Sequence, residues 1–194
     1  SSSVYGETRV LPKTESLPAR PISPYAASKL ATEAYSLAWA HSYGFPALAL
    51  RLFNVFGPLQ PPLHTYAAVI PSFLSAAFQD QSLPVHGDGS QSRDFTFVES
   101  VVSVVVDALL RKVSHEDPVN LAFGSRVTLM ELVGVMEDVL DRQLPIDFQP
   151  ARAGDVTVSQ ADPATLASLF PASEPTPLEA GIRSTVDWFE AARP

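Results

Sequence analysis

The sequence predicts an α/β fold, on three observations. Short apolar runs alternate with longer stretches of helical pattern along the chain. The pairs Ser23–Pro24, Asp162–Pro163 and Thr176–Pro177 each read as an N-cap followed by proline at the first helical position. Residues 47–55 are apolar apart from Arg51 and Asn54, the composition of a strand buried on both faces of a parallel sheet.

Taken in order, Ser1 to Tyr5 read as the end of a strand, so the chain is expected to begin inside a domain. Residues 7–22 form a polar loop punctuated by Pro12, Pro18 and Pro21. A helix is predicted over 24–43, stopped by Gly44. It is rich in alanine, and Leu30, Tyr35, Leu37 and Trp39 occupy more than one face, which predicts a buried helix of the kind found between subunits. A helix over 66–79 is expected to be disturbed or restarted at Pro71. Short strands at 85–86 and 94–98 flank the Gly87-Asp88-Gly89 turn, and helices follow over 99–112 and 128–140. Residues 119–123 read as a strand and 145–148 as a short extended segment.

At 194 residues and 46% hydrophobic, the chain is long enough for one domain with its own core. It has no cysteine, which excludes disulfides and thiolate-bound metals. No close set of His, Asp and Glu has metal-ligand spacing, so no metal is expected. A formal charge of −8 gives a nucleic-acid role no support. No apolar run has the length of a membrane span and no secretory leader is visible, so neither a membrane nor a nucleic-acid partner is expected, and the location is expected to be cytoplasmic.

Tyr25 and Lys29 are four apart on the predicted helix 24–43, which places them on one face. A free phenol, with pKa about 10, is a poor base at neutral pH. A neighbouring ammonium stabilises its phenolate. The pair can therefore serve as a general base beside a cationic anchor, although the spacing alone also suits a surface pair. The surrounding segments decide between them: SSSVYGE upstream, then PYAASK, RLFNVFGP, GDGSQSRDFTFV and ARAGDV.

In this order and spacing the five segments resemble the extended short-chain dehydrogenase/reductases, and among them the NAD-dependent nucleotide-sugar epimerases and dehydratases, from Ser1 to about Trp188. The resemblance implies the C-terminal part of a Rossmann-like doubly wound parallel sheet plus a small α/β substrate-binding domain. It implies that Ser1 and Tyr25 bond the reacting sugar hydroxyl, that Lys29 holds the nicotinamide ribose of NAD and tunes Tyr25, and that Phe53 borders the nicotinamide. Family dehydratases carry Asp-Glu directly after the Ser1 position. Ser2 and Ser3 stand there and cannot replace a carboxylate pair, which argues for epimerisation and makes them hydrogen-bonding partners of the sugar. Asn54 resembles the residue on the substrate's diphosphate or hexose, the other reading being a loop asparagine bonding its own backbone. Arg93 is similar to the arginine on the pyrophosphate, where a guanidinium suits phosphate; its other reading is a surface pair with Asp94. Arg152 and Asp155 match a segment that grips phosphate and uridine ribose. Ala68, Val69, Pro84 and His86 fall where the family lines the uracil and ribose pocket. Ser159 falls at the floor of the hexose pocket, where a small side chain leaves room for a 2-acetamido group.

The Gly-rich turn that binds the NAD pyrophosphate is not found in this sequence. The resemblance therefore implies that residues 1–60 are the C-terminal part of the NAD-binding domain. Residues 61–194 are then mainly substrate-binding, with about 92–125 returning to the sheet. Such a piece is expected to be unstable and inactive alone. The expected whole is a homodimer, paired through the helix at 24–43, that epimerises carbon 4 of a UDP-hexose through a 4-keto intermediate. UDP-N-acetylglucosamine and UDP-N-acetylgalactosamine are the expected pair. A UDP-glucuronate decarboxylase, a reductase, or a non-catalytic nucleotide-sugar-binding fragment remain as alternatives.

Overall fold

The computed structural model of the chain describes residues 1–61, 68–151 and 157–191. Residues 2–5 coil into one 3-10 turn, where the sequence suggests the end of a strand. Ser1 caps this turn, and its hydroxyl accepts from the Ser3 N–H. Gly6 closes it at φ +60, where a Cβ would run into the carbonyl oxygen of Arg20. Helix α1 spans Pro24–Tyr43, with the Ser23 hydroxyl accepting from the Ala26 N–H and Gly44 in the left-handed region.

The apolar stretch at 47–55 is not one strand. It divides at Phe53 into β1 (Leu50–Leu52) and β2 (Asn54–Phe56), because the halves have different partners. Strand β1 runs parallel to β6 (Val119–Leu121), whereas β2 runs parallel to β5 (Phe95–Phe97). Helix α2 spans Val69–Phe78. Pro71 falls in its first turn, where no helical acceptor waits for an N–H, so the proline disturbs nothing. Strand β3 (Leu83–His86) pairs in parallel with β8 (Ile146–Gln149), and β4 (Ser92–Arg93) pairs antiparallel with β7 (Val127–Thr128). Among the described residues four more helices follow: α3 (Val98–Arg111), α4 (Leu129–Leu140), α5 (Ala164–Leu169) and α6 (Leu178–Ala191). The capping box of Thr128 and Glu131 starts α4.

The main core lies between α2, α4, α6 and strands β2, β3 and β5, around Phe56, Phe73, Phe97, Leu132, Met136 and Ile182. A second cluster packs α3 and α5 on β1 and β6, and a third joins Tyr5, Phe53, Ala122 and Ala161. Helix α6 approaches the sheet through Gly181, where a Cβ would stand 2.9 Å from Phe56 and 2.9 Å from Phe97. Gly181→Ala is therefore expected to cost about 1–3 kcal/mol of overpacking, more than the roughly 1 kcal/mol gained in helix propensity. Thermal melting checks this, and an unchanged or raised midpoint would refute it.

Within this chain helix α1 buries only Ala26. Tyr25, Tyr35, Trp39 and Tyr43 are 59–72% exposed. Helix α3 likewise exposes a stripe running from Val102 to Leu110. Among the described residues no helix is long and apolar enough to cross a membrane.

Candidate active site

Two clefts meet at Val55. The first, of about 400 Å³, lies between α1 and β1. Ser1, Tyr25, Lys29 and Glu33 line it together with Phe53, so the cap of the first turn and the N-terminal half of α1 face one space. Tyr25 stands in the first turn of α1, and the Lys29 ammonium lies 5.3 Å from the centroid of its ring. The Ser1 and Ser3 hydroxyls are 2.9 Å apart, and Ser2 shares their turn.

The second cleft, of about 250 Å³, gathers Asn54, Ala68, Val69, Pro84, His86 and Arg93 from four separate places in the sequence. Strand alternation explains β3: Leu83 and Val85 point into the core, leaving Pro84 and His86 for the cleft. His86 Nδ1 lies 3.2 Å from the Pro150 oxygen, and Gln91 donates to the His86 carbonyl at 2.6 Å. Asn54 takes up the local role weighed for it, since its side-chain amide and its backbone N–H both donate to the Asp94 carbonyl at 3.2 Å, while it also lines the cleft.

Ser159 is buried beside β4 and is absent from the lining of either cleft; its N–H donates to the Ser92 carbonyl at 3.1 Å. Arg152 and Asp155 lie outside the described residues.

Asp94 is not the surface partner of Arg93. It is wholly buried, and its carboxylate accepts from the Gly124 N–H, the Ser125 hydroxyl and the Ala161 N–H at 3.1, 2.9 and 3.0 Å. Burial pushes its pKa up, and these hydrogen bonds pull the other way. Period-two alternation over 92–96 is the signal that could have found it: Ser92, Asp94 and Thr96 are all buried on one face, which turns Arg93 to the other.

Residues 1–122 match the NAD dependent epimerase/dehydratase family. The chain belongs to that family. It is 31% identical over 190 residues to the UDP-glucose 4-epimerase of Mycolicibacterium smegmatis, covering 96% of this chain and 59% of the relative. It is similar to the structure of UDP-N-acetylglucosamine 4-epimerase from Methanobrevibacter ruminantium in complex with UDP-N-acetylmuramic acid, at 37% identity and a TM-score of 0.92, covering 100% of this chain and 62% of that one. It is also similar to UDP-glucuronic acid 4-epimerase from Bacillus cereus, in complex with UDP-glucuronic acid and NAD, at 25% identity and a TM-score of 0.88, covering 100% of this chain and 60% of that one. The chain thus spans about three-fifths of the length of these family members.

Beneath Tyr25 and Lys29 lies a polar network that local pattern does not reveal. Arg51, only 4% exposed, donates to both carboxylate oxygens of Glu33 at 2.7 and 2.9 Å, and its guanidinium stands 4.8 Å over the Tyr5 ring. Burial works against the Arg51 charge, but the bonds to Glu33 and Tyr5 outweigh it and raise its pKa. The Tyr5 hydroxyl donates to Asn120 Oδ1 at 2.6 Å, and Asn120 Nδ2 donates to the Lys13 carbonyl. Glu33 is one turn beyond Lys29, so this network fastens α1, which carries Tyr25 and Lys29, to β1 and to the turn that carries Ser1.

Proposed function

We propose that this chain is the catalytic and substrate-binding part of an NAD-dependent UDP-hexose 4-epimerase that accepts UDP-N-acetylglucosamine and UDP-N-acetylgalactosamine. The observation that carries the reading is the meeting of the two clefts at Val55: base, cation and hydroxyl on one side, guanidinium, amide and imidazole on the other. The distribution suits a hexose reacting at Tyr25 with its UDP lying along Arg93 and His86.

The first cleft fits the nicotinamide-ribose end of NAD, because Lys29 offers an exposed ammonium for ribose hydroxyls beside the apolar wall of Leu50, Leu52 and Phe53. When bound, NAD supplies a reversible hydride acceptor for carbon 4. The chain's own residues hold and move the proton. Tyr25 Oη, as phenolate, takes it from the 4-hydroxyl and later returns it, with Lys29 stabilising the anion and Ser1 bonding the same sugar oxygen. Ser2 and Ser3 orient the sugar, Asn54 and Arg93 hold the diphosphate, and Ala68, Val69, Pro84 and His86 bracket the nucleoside. Arg152 and Asp155 are assigned to phosphate and ribose, and Ser159 to the space for the acetamido group. The exposed Tyr35, Trp39 and Tyr43 support a homodimer through α1.

The test is to add UDP-N-acetylglucosamine, and separately UDP-glucose, with NAD, to the full-length protein that carries this chain together with its NAD-binding half, and follow the 4-epimer by NMR. Interconversion of the acetamido sugar is the expected result. Conversion of UDP-glucose alone would keep the chemistry and remove the Ser159 assignment. A mass change would point to decarboxylation, and no epimer from either sugar would refute the reading.

A further inference from the structure

Lys29 and Glu33 are one turn apart on α1 and line the same cleft, an arrangement in which an ammonium and a carboxylate ordinarily meet. They do not meet here. The Lys29 ammonium lies over the Tyr25 ring and has no carboxylate partner among the described residues. Glu33 is taken up by β1 instead: its two carboxylate oxygens accept from Arg51, at 2.9 Å from Nε and 2.7 Å from Nη2. The pair is nearly closed off, with the Arg51 and Glu33 side chains 5% and 11% exposed.

Arg51 is held in turn. Its Nη1 donates to the Glu15 carbonyl at 3.4 Å, and its guanidinium stands over the Tyr5 ring. The Tyr5 hydroxyl donates to Asn120, and burial pushes its pKa up, so it keeps its proton and adds no charge. The Glu15 carboxylate accepts from the Asn120 N–H at 2.9 Å, and the Lys13 ammonium lies 5.9 Å from the Tyr5 ring. Glu15 and Lys13 are of opposite sign and neither lines the cleft of Tyr25. The charged side chains on that cleft are Lys29 and Glu33, with Arg51 directly behind the carboxylate.

A carboxylate released beside Lys29 would compete with the Tyr25 phenolate, since both anions are stabilised by the same ammonium. An Arg51 without its carboxylate would act in the opposite sense, as a second cation behind α1. Held together, the two charges largely cancel at the distance of Tyr25. We propose that Arg51 is a positioning residue for the base: by occupying both oxygens of Glu33 it leaves Lys29 to Tyr25, so that the buried pair sets the pH range over which Tyr25 acts. This rests on the assignment of Tyr25 as the base and deepens it. Arg51 acts only through Glu33 and Lys29, and touches neither sugar nor cofactor in this role.

The experiment is an ultraviolet titration of tyrosinate in the full-length protein that carries this chain, with NAD bound. Each protein is read against its own Tyr25→Phe counterpart, so that the difference belongs to Tyr25. The variants are Arg51→Gln, Arg51→Lys, Glu33→Gln and the double Arg51→Gln/Glu33→Gln. Arg51→Gln is expected to raise the Tyr25 midpoint by about 0.5–1 pH unit, the effect of one charge acting across a partly wet cleft. Glu33→Gln should lower it, and the double variant should return it to that of the unaltered protein. Arg51→Lys keeps a cation on Glu33 and should shift it less than Arg51→Gln. Turnover of UDP-N-acetylglucosamine should follow the same order: Arg51→Gln is expected to be roughly 3- to 10-fold slower than the unaltered protein on the acidic side of the profile and within about twofold of it on the alkaline side. A loss of packing alone would lower kcat or the melting temperature without moving the midpoint, and removing Glu33 as well would not restore it. If Arg51→Gln fails to fold, Glu33→Gln decides, and a midpoint that stays or rises in it would overturn the proposal. Equal midpoints in all variants, with turnover lost in Tyr25→Phe, would overturn the proposal and leave Tyr25 as the base. Turnover in Tyr25→Phe at the unaltered rate would overturn both.

Discussion

Replacing Tyr25 by Phe is expected to cut turnover of the nucleotide sugar by roughly 100- to 10,000-fold, the range over which a positioned acid or base acts. The substitution removes one oxygen. Tyr25 is 59% exposed, so little packing is disturbed and the fold should be unaffected. Nucleotide binding should also persist, because Asn54, His86 and Arg93 line the other cleft. The signature is therefore a loss in kcat with UDP affinity preserved, read by NMR turnover and by titration with UDP. Lys29 would remain in place, but with no phenolate to stabilise. Turnover near that of the unaltered protein would remove Tyr25 from the chemistry.

The second large effect is expected at Arg51. Arg51→Met would leave the Glu33 carboxylate in a nearly closed site with its two charge-assisted donors gone, and would withdraw the cation from the Tyr5 ring. Breaking one side of a buried ion pair typically costs about 3–5 kcal/mol, because a buried charge is left uncompensated. For a chain of this size that corresponds to a fall in melting temperature of roughly 6–20 °C. Adding Glu33→Leu should recover most of the loss, since removing both charges leaves no buried ion. If the double variant melted no higher than the single one, the pair would not be what fastens α1, and the loss would be one of packing. The comparison also separates stability from catalysis, as neither residue is assigned to the substrate.

The sequence revealed most where the physics is local. Ser23–Pro24 and Gly44 delimit α1 to the residue because caps and proline act within one turn. Asn54, Ala68, Val69, Pro84, His86 and Arg93 could be nominated together only through the resemblance, since nothing local connects them, and the fold gathers them around one cleft. What the sequence concealed is non-local. An apolar run cannot say that β1 and β2 have different partners, because that choice is made by Val119 and Phe95 far along the chain. The bonds of Tyr5 to Asn120 and of Asp94 to Ala161 likewise join residues with no spacing rule between them. Lys13 reads as an ordinary loop lysine until the segment at 160–162 covers it. Pro71 misled for the opposite reason: its effect depends on which turn of the helix it occupies.

The parallel pairings have a further consequence, for the time course of folding. Leu50 pairs with Val119, Asn54 with Phe95 and Leu83 with Ile146, so each ladder must close a long loop before its first bond forms. Chains dominated by such distant contacts fold slowly. Asp94 then joins Gly124, Ser125 and Ala161, segments that come together only after those loops have closed. Because the Asp94 carbonyl also fixes Asn54, and Arg93 is its immediate neighbour, these cleft-lining groups gain their geometry at the end of the search rather than at its start. Ligand binding by newly made chains would then time the last event in their folding, and helix content would time the first.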